Sequence, residues 1–73
     1  MNLCSGKING NYVVESVKLV EATQNRLKAL GLTDGTKITI LNNKRSGSVI
    51  FKVRGTRLAV GKMIAEYITV REV

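Results

Sequence analysis

The sequence predicts a mainly β fold, a small five-stranded barrel with one short helix after the first strand and a helical turn before the last strand. Short runs of β-branched and aromatic residues alternate with polar residues, as half-buried strands do. A chain of 73 residues is too short for two well-covered layers, so one strongly bent barrel is the economical arrangement. Glycines fall between the runs, where such a sheet turns its corners: Gly31, Gly35, Gly47, Gly55 and Gly61.

The first strand is predicted at Tyr12–Val20, a segment rich in β-branched and aromatic residues. Three of its apolar residues share one parity, interrupted by Glu15. Successive side chains of a strand point to opposite faces. Val13, Val17 and Leu19 are therefore predicted to share one face of this strand.

A short helix is predicted at Ala22–Leu30, where good helix formers dominate. Leu27 and Leu30 lie three positions apart, on one helical face, and both are expected to pack inward. Gly31 follows at the position where a helix often ends in a residue with positive φ. Leu32 then comes next, where a Schellman motif brings an apolar side chain back to Leu27.

A turn at Gly35 leads into a hairpin made of Thr36–Asn42 and Ser48–Val53, joined by the polar loop Asn43–Gly47. Opposed residues of an antiparallel pair point to the same face of the sheet. The inner face is therefore predicted to hold Ile38, Ile40, Val49, Phe51 and Val53. The outer face is predicted to hold Lys37, Lys52 and Arg54.

The stretch "RGTRLA" is predicted to be a tight turn at Gly55 that feeds a strand through Leu58–Val60. One helical turn at Lys62–Tyr67 follows, and Ile68–Val73 supplies the last strand. Neither a proline nor a low-complexity linker divides the chain. We therefore expect one domain over residues 1–73.

The charge balance favours an acidic partner. Twelve Lys and Arg residues against five Asp and Glu residues give a net charge of +7, which suits nucleic acid, anionic lipid or an acidic protein surface. Six basic residues are expected along the hairpin and the next turn: Lys37, Lys44, Arg45, Lys52, Arg54 and Arg57. Single-strand binders interleave such residues with aromatics, and this chain has only two Tyr and one Phe. Nucleic-acid binding is therefore the second hypothesis.

Catalytic and metal-binding sets are not predicted. The chain has no histidine, which removes the commonest general base and metal ligand. Its carboxylates are scattered, and no loop matches a phosphate-cradling motif. We expect no catalytic residue, cofactor or metal site, and interpret Cys4 as a bystander. One cysteine fits a reducing compartment, and neither a signal peptide nor a membrane helix is predicted.

Two segments resemble one known family. "RLKALGLTDGTKITI" at Arg26–Ile40 and "VIFKVRGTRLAVGKMIAEYITV" at Val49–Val70 are similar to the FeoA family, ferrous iron transport protein A. Its members carry R-L-x-x-L-G-L-x-x-G-x-x-[IV]-x-[IV] followed by R-G-x-x-[LIV]-A-[LIV]. From Arg26 to Val70 the match spans about two-thirds of the chain, in order. Two positions depart from the family pattern, since Asp34 stands where proline is frequent and Gly61 where a basic residue is common.

The resemblance implies an SH3-like barrel without activity of its own. It implies a small cytoplasmic accessory to FeoB, the membrane ferrous-iron transporter with a cytosolic GTPase domain, recruited to the inner face of the membrane through that partner. Related domains are fused to metal-dependent transcription regulators, where they serve as interaction modules. An exposed apolar edge beside arginines is typical of interface centres, so partner contacts are predicted at Leu32, Arg54, Thr56 and Arg57.

Overall fold

The structure is a computed structural model that describes residues 1–44 and 47–73. Two residues of the predicted hairpin loop, Arg45 and Ser46, lie outside the described residues. A single turn of 3-10 helix at Leu3–Ser5 opens the chain. The remaining elements are β1 at Asn11–Val17, α1 at Glu21–Ala29, β2 at Lys37–Asn43, β3 at Val49–Val53, β4 at Thr56–Val60, α2 at Lys62–Ala65 and β5 at Ile68–Glu72.

The five strands form one antiparallel sheet in the order β4-β3-β2-β1-β5. The predicted fold class is confirmed: a mainly β, SH3-like fold with a short helix after the first strand and a helical turn before the last. The predicted closure of the barrel is wrong, because within the described residues β4 and β5 share no ladder. The chain leaves β4 through α2 and returns at the opposite edge of the sheet, so both strands remain edges.

The core lies on one face of this sheet, and the central hairpin supplies much of it. Ile38 lies opposite Val53 and Ile40 opposite Phe51, which confirms the prediction that the two isoleucines share a face with the apolar residues of β3. All four side chains are buried, so the alternation in β2 and β3 has the expected phase. Apolar side chains from the rest of the chain complete the core: Leu3, Tyr12, Val14, Leu27, Leu32, Val49, Val60, Ala65, Ile68 and Val70.

The predicted common face of Val13, Val17 and Leu19 is wrong for Val13, while Val17 and Leu19 pack against the core. The residues that β1 buries are Tyr12 and Val14, whereas Val13 is only half-buried. The pairing of β1 with β5 shifts register between Val14 and Ser16. A bulge of this kind changes which side chains face inward, so Val17, beyond the bulge, again packs against the core.

Helix α1 ends in the predicted Schellman motif. The N–H of Leu32 donates to the carbonyl of Leu27 at 2.9 Å, the N–H of Gly31 donates to Lys28 at 3.0 Å, and Gly31 has φ +100°. The prediction that Leu30 packs inward is wrong, because its side chain is 44% exposed at the helix C-cap. Leu32 folds back into the core in its place.

Candidate functional site

The turn between β3 and β4 has a conformation that its sequence does not favour. Val53 pairs with Thr56, so the turn contains two residues, Arg54 and Gly55. Both have positive φ, +50° for Arg54 and +79° for Gly55, as a type I′ turn requires. Asparagine or glycine is the usual residue at the first of these positions, and arginine there is strained. Strain held in a non-glycine residue points to a function for the side chain.

The side chain of Arg54 lies against the end of helix α1. A Cβ atom added to Gly31 would lie 3.1 Å from Cδ and 3.7 Å from Nε of Arg54. Gly31 therefore provides both the left-handed backbone of the Schellman turn and the space for the arginine stem. The carboxyl end of a helix carries partial negative charge, which favours a cation nearby. The packing thus positions Arg54 at the junction of the hairpin and the helix.

We expect Arg54→Asn to raise the free energy of unfolding by about 0.5–1 kcal/mol, because asparagine tolerates the left-handed conformation better than arginine. Urea denaturation of the two proteins, followed by circular dichroism, measures the difference. The same variant is expected to bind a partner less well. A lower stability of the variant would contradict this prediction and would show that packing of the arginine stem on Gly31 outweighs the backbone strain.

Basic side chains meet on the outer face of the hairpin. Lys52 lies directly opposite Arg57 on β4 and opposite Thr39 on β2, and Lys37 lies two positions before Thr39 on the same face. All of these cations are exposed. We define the basic hairpin face as Lys37, Lys52, Arg54 and Arg57.

A shallow groove of about 550 Å³ runs over this face. Lys37, Lys52 and Arg54 line it, together with polar groups of Thr39 and Asn11. The Thr39 hydroxyl donates to Oδ1 of Asn11 at 2.8 Å, which fixes both side chains. Three cations beside neutral hydrogen-bonding groups form a surface suited to carboxylates or phosphates.

Three of the four residues predicted to contact a partner lie together at the hairpin. Arg54, Thr56 and Arg57 are exposed at the turn and the start of β4. The expectation that Leu32 forms an exposed apolar edge is wrong, because its side chain is 1% exposed. The Schellman motif that holds its N–H to Leu27 also turns the side chain into the core. Leu32 is thus part of the core and not of the surface.

The sequence interpretation missed the pairing of Lys52 with Arg57. The signal was present, because a two-residue turn at Arg54 and Gly55 fixes every later pair of the hairpin. Like charges directly opposite each other in a sheet are destabilising. The hairpin therefore retains an unfavourable cation pair next to a strained arginine, and both features mark this face as the candidate functional site.

Outside the basic hairpin face, the described residues contain few groups suited to metal binding or nucleophilic attack. In residues 1–44 and 47–73, no group of three or more His, Cys, Asp or Glu side chains lies close enough to hold a metal ion. The thiol of Cys4 donates to the carbonyl of Lys62 at 3.5 Å. Burial, and then the carboxylate of Glu66, raise the pKa of the Cys4 thiol, and Lys62 opposes them. A raised pKa lowers the thiolate fraction at neutral pH, so this cysteine is a weak nucleophile.

Both helices are short. Neither α1 nor α2, nor any other helix among the described residues, has the length and apolar character needed to cross a bilayer.

Comparison with known proteins identifies the family. A profile of the FeoA domain matches residues 1–72. The solution structure of the FeoA protein from Chlorobium tepidum matches with a TM-score of 0.92 and 31% identity, over 100% of this chain and 70% of that one. The crystal structure of an iron uptake regulatory protein (FeoA) matches with a TM-score of 0.90 and 27% identity, over 100% of this chain and 97% of that one.

A likeness in fold extends to a larger protein. The structure of ScaR with bound Zn²⁺ matches with a TM-score of 0.85 and 24% identity, over 100% of this chain and 37% of that one. No curated protein matches the chain in sequence. The FeoA profile covers almost the whole chain and agrees with the fold. The chain therefore belongs to the FeoA domain family, which is associated with ferrous iron transport.

Proposed function

We propose that this chain is a non-enzymatic, single-domain accessory of ferrous iron uptake that binds an FeoB-type membrane transporter and modulates it. The observation that carries the proposal is the FeoA match over residues 1–72. The chain acts in the cytoplasm, at the inner face of the membrane, where the cytosolic GTPase domain of such a transporter is accessible. Binding alone is the activity in this proposal, and neither a cofactor nor a metal on this chain takes part.

The contact surface in this proposal is the basic hairpin face with Thr56. Arginine is favoured at interface centres because its planar guanidinium binds carboxylates through two hydrogen bonds. The stem of Arg54 packs on the end of α1, so part of its side-chain freedom is already lost before a partner binds it. Arg57 projects from the neighbouring strand. Leu32 lies beneath this surface and makes no contact of its own in the proposal.

The proposal predicts that Arg57→Glu weakens partner binding without unfolding the chain. Recovery of the transporter from membranes of iron-starved cells by the tagged chain is expected to fall by roughly tenfold or more. The thermal midpoint should hold or rise slightly, because the change converts the like-charge pair with Lys52 into an opposite-charge pair. Co-precipitation and thermal unfolding measure the two effects.

Lys18→Glu is the matched control. Lys18 is exposed after the last residue of β1, away from the hairpin, and its reversal changes the net charge by the same amount. Equal losses in both variants would show that the effect follows net charge. Unchanged recovery with Arg57→Glu would reject this surface, and background recovery with the unaltered chain would reject the proposed function.

A second candidate function, nucleic-acid binding, is favoured by the four cations of the basic hairpin face. It predicts affinity for single-stranded DNA or RNA that falls steeply with salt, because bound cations release counterions from phosphates. Stacking is its weak point, since Phe51 and Tyr12 are buried and Tyr67 lies beside β5, at the far side of the sheet. Fluorescence anisotropy with labelled oligonucleotides at low ionic strength tests it, and no binding there rejects it.

A third candidate, an interaction module like those of metal-dependent transcription regulators, is favoured by the fold shared with ScaR. It predicts co-precipitation of a DNA-binding protein in place of the transporter.

A further inference from the structure

The two edge strands of the sheet, β5 and β4, differ in whether another segment pairs with their outer backbone groups. On the outer edge of β5, Asn2 bridges to Thr69, and the N–H of Val70 donates to the carbonyl of Met1 at 2.7 Å. The outer edge of β4 has no such cover, since no backbone hydrogen bond joins Arg57 or Ala59 to another segment among the described residues. Within the part of the chain that the structure describes, β4 is therefore the open edge.

The geometry of the hairpin determines which groups this edge presents. A two-residue turn is flanked by a hydrogen-bonded pair, here Val53 with Thr56. Hydrogen-bonded and non-hydrogen-bonded pairs then alternate along the ladder. Arg57 and Ala59 fall at non-hydrogen-bonded positions opposite Lys52 and Ile50. Their N–H and C=O groups consequently point away from β3, toward whatever lies beside the edge.

The charge next to this edge has one sign. Arg57 and Lys52 lie side by side, and Leu41 and Gly55 complete the shallow depression between them. Among the residues that the structure describes, no Asp or Glu lines this depression or the larger groove beside it. An edge that offers backbone hydrogen bonds beside two exposed cations suits an extended segment that carries carboxylates.

We propose that the outer edge of β4 binds an extended, acidic segment of a partner protein, which adds to the sheet next to β4. Its backbone pairs with the N–H and C=O groups of Arg57 and Ala59. Its outer-face carboxylates lie over Arg57 and Lys52 and relieve their mutual repulsion. The identification of that partner as the iron transporter rests on the proposed function. The edge site and its ligand chemistry rest on the structure alone.

Two other occupants fit less well. A second copy of the chain, paired edge to edge, would bring two Arg57 side chains and two Lys52 side chains together without any carboxylate, which opposes association. A nucleic acid would satisfy the cations but would leave the backbone groups of Arg57 and Ala59 without a strand to pair with. Both are outcomes of the test below.

The test uses the whole ¹⁵N-labelled chain and a synthetic peptide with blocked ends, in which glutamate alternates with threonine. NMR titration is expected to shift the amide resonances of Arg57 and Ala59 most and to slow their hydrogen exchange. A peptide with lysine in place of glutamate is the matched control and is expected not to bind. Equal effects of both peptides, or shifts that avoid β4, would overturn the proposal.

Ala59→Pro removes the outward N–H while leaving the ladder bonds to β3 unchanged, as proline on an edge strand allows. We expect roughly a threefold to tenfold lower affinity for the acidic peptide. Ala59→Thr keeps the N–H, suits a strand, and should bind like the unaltered chain. Should the proline variant fail to fold, Arg57→Glu with the same two peptides replaces it, and unchanged selectivity for the acidic peptide would overturn the proposal.

Four further outcomes separate this inference from the proposed function and from the other occupants. Failure of the acidic peptide to bind, together with equal recovery of the transporter by Ala59→Pro and by the unaltered chain, would reject the edge site and leave the proposed function standing. Peptide binding at the edge without transporter recovery would reject the proposed function and leave the edge site standing. The acidic segment would be rejected as occupant by concentration-dependent dimers that protect the Arg57 and Ala59 amides without peptide. It would also be rejected by oligonucleotide binding at those amides that Ala59→Pro does not weaken.

Discussion

Phe51→Ala is expected to remove most of the stability of this fold. Phe51 is fully buried at the centre of β3, opposite Ile40 on β2 and Leu58 on β4. Truncation of a buried phenylalanine costs about 3–5 kcal/mol. A chain of 73 residues has a free energy of unfolding of about 4–11 kcal/mol, and small domains lie toward the lower end. The variant should therefore be partly unfolded at 37 °C.

Urea denaturation, followed by circular dichroism, measures this loss. Ile50→Ala is the matched control, because Ile50 is the neighbouring residue of the same strand but lies half-buried on the outer face. We expect it to cost about 1 kcal/mol, since only part of the side chain leaves water on folding. Similar costs for the two variants would contradict the assignment of the inner face of β3.

Gly31→Ala is expected to lower the free energy of unfolding by about 1–2 kcal/mol from backbone conformation alone. Contact with Arg54 adds to this loss, because the new methyl group would lie 3.1 Å from Cδ of that side chain. The arginine must then shift, so the variant should also bind a partner less well. Denaturation and co-precipitation are the two measurements.

Gly35→Ala is the control for the backbone term. Gly35 also has positive φ, +84°, but nothing lies within 4 Å of an added Cβ. The difference between the two variants in free energy of unfolding then measures the contact with Arg54. Adding Arg54→Ala to Gly31→Ala should abolish this difference. A difference that persists in the double variant would place the strain elsewhere. Partner binding that Gly31→Ala leaves intact would show that the position of Arg54 is unimportant for function.

The predictable part of this fold is the part built from local pairs. The alternation of Ile38 and Ile40, with a glycine at each turn, predicts the meander of β2, β3 and β4 because its partners are neighbours in sequence. The Schellman motif at Gly31 is local too, and it was predicted in full. Here sequence periodicity and turn chemistry contain the required information.

The wrong predictions concern features that depend on contacts between distant parts of the chain. The inward face of β1 depends on a bulge in its pairing with β5, at the other end of the sequence. The exposure of Leu30 depends on where the helix end lies against the sheet, and periodicity does not specify this. Openness of the sheet likewise depends on how β4 and β5 diverge. Each is a tertiary property that one sequence does not display locally.

The candidate site is likewise predictable only in part from the sequence. The outward direction of Lys37 and Lys52 follows from strand alternation and is confirmed. The position of Arg54 against Gly31 joins two segments far apart in sequence, and the motif spacing alone could not supply it. Whether Arg54, Thr56 and Arg57 contact a partner stays a prediction.

The pairing of β1 with β5 also has a kinetic consequence. It joins Tyr12 to Glu72 and so closes a loop that contains most of the chain. Closing a long loop has a larger entropic barrier than forming a hairpin, and folding slows as the mean sequence separation of contacts grows. The meander can form early, but the ladder between β1 and β5 cannot. During synthesis, β1 therefore waits with one edge unpaired until the last strand has left the ribosome.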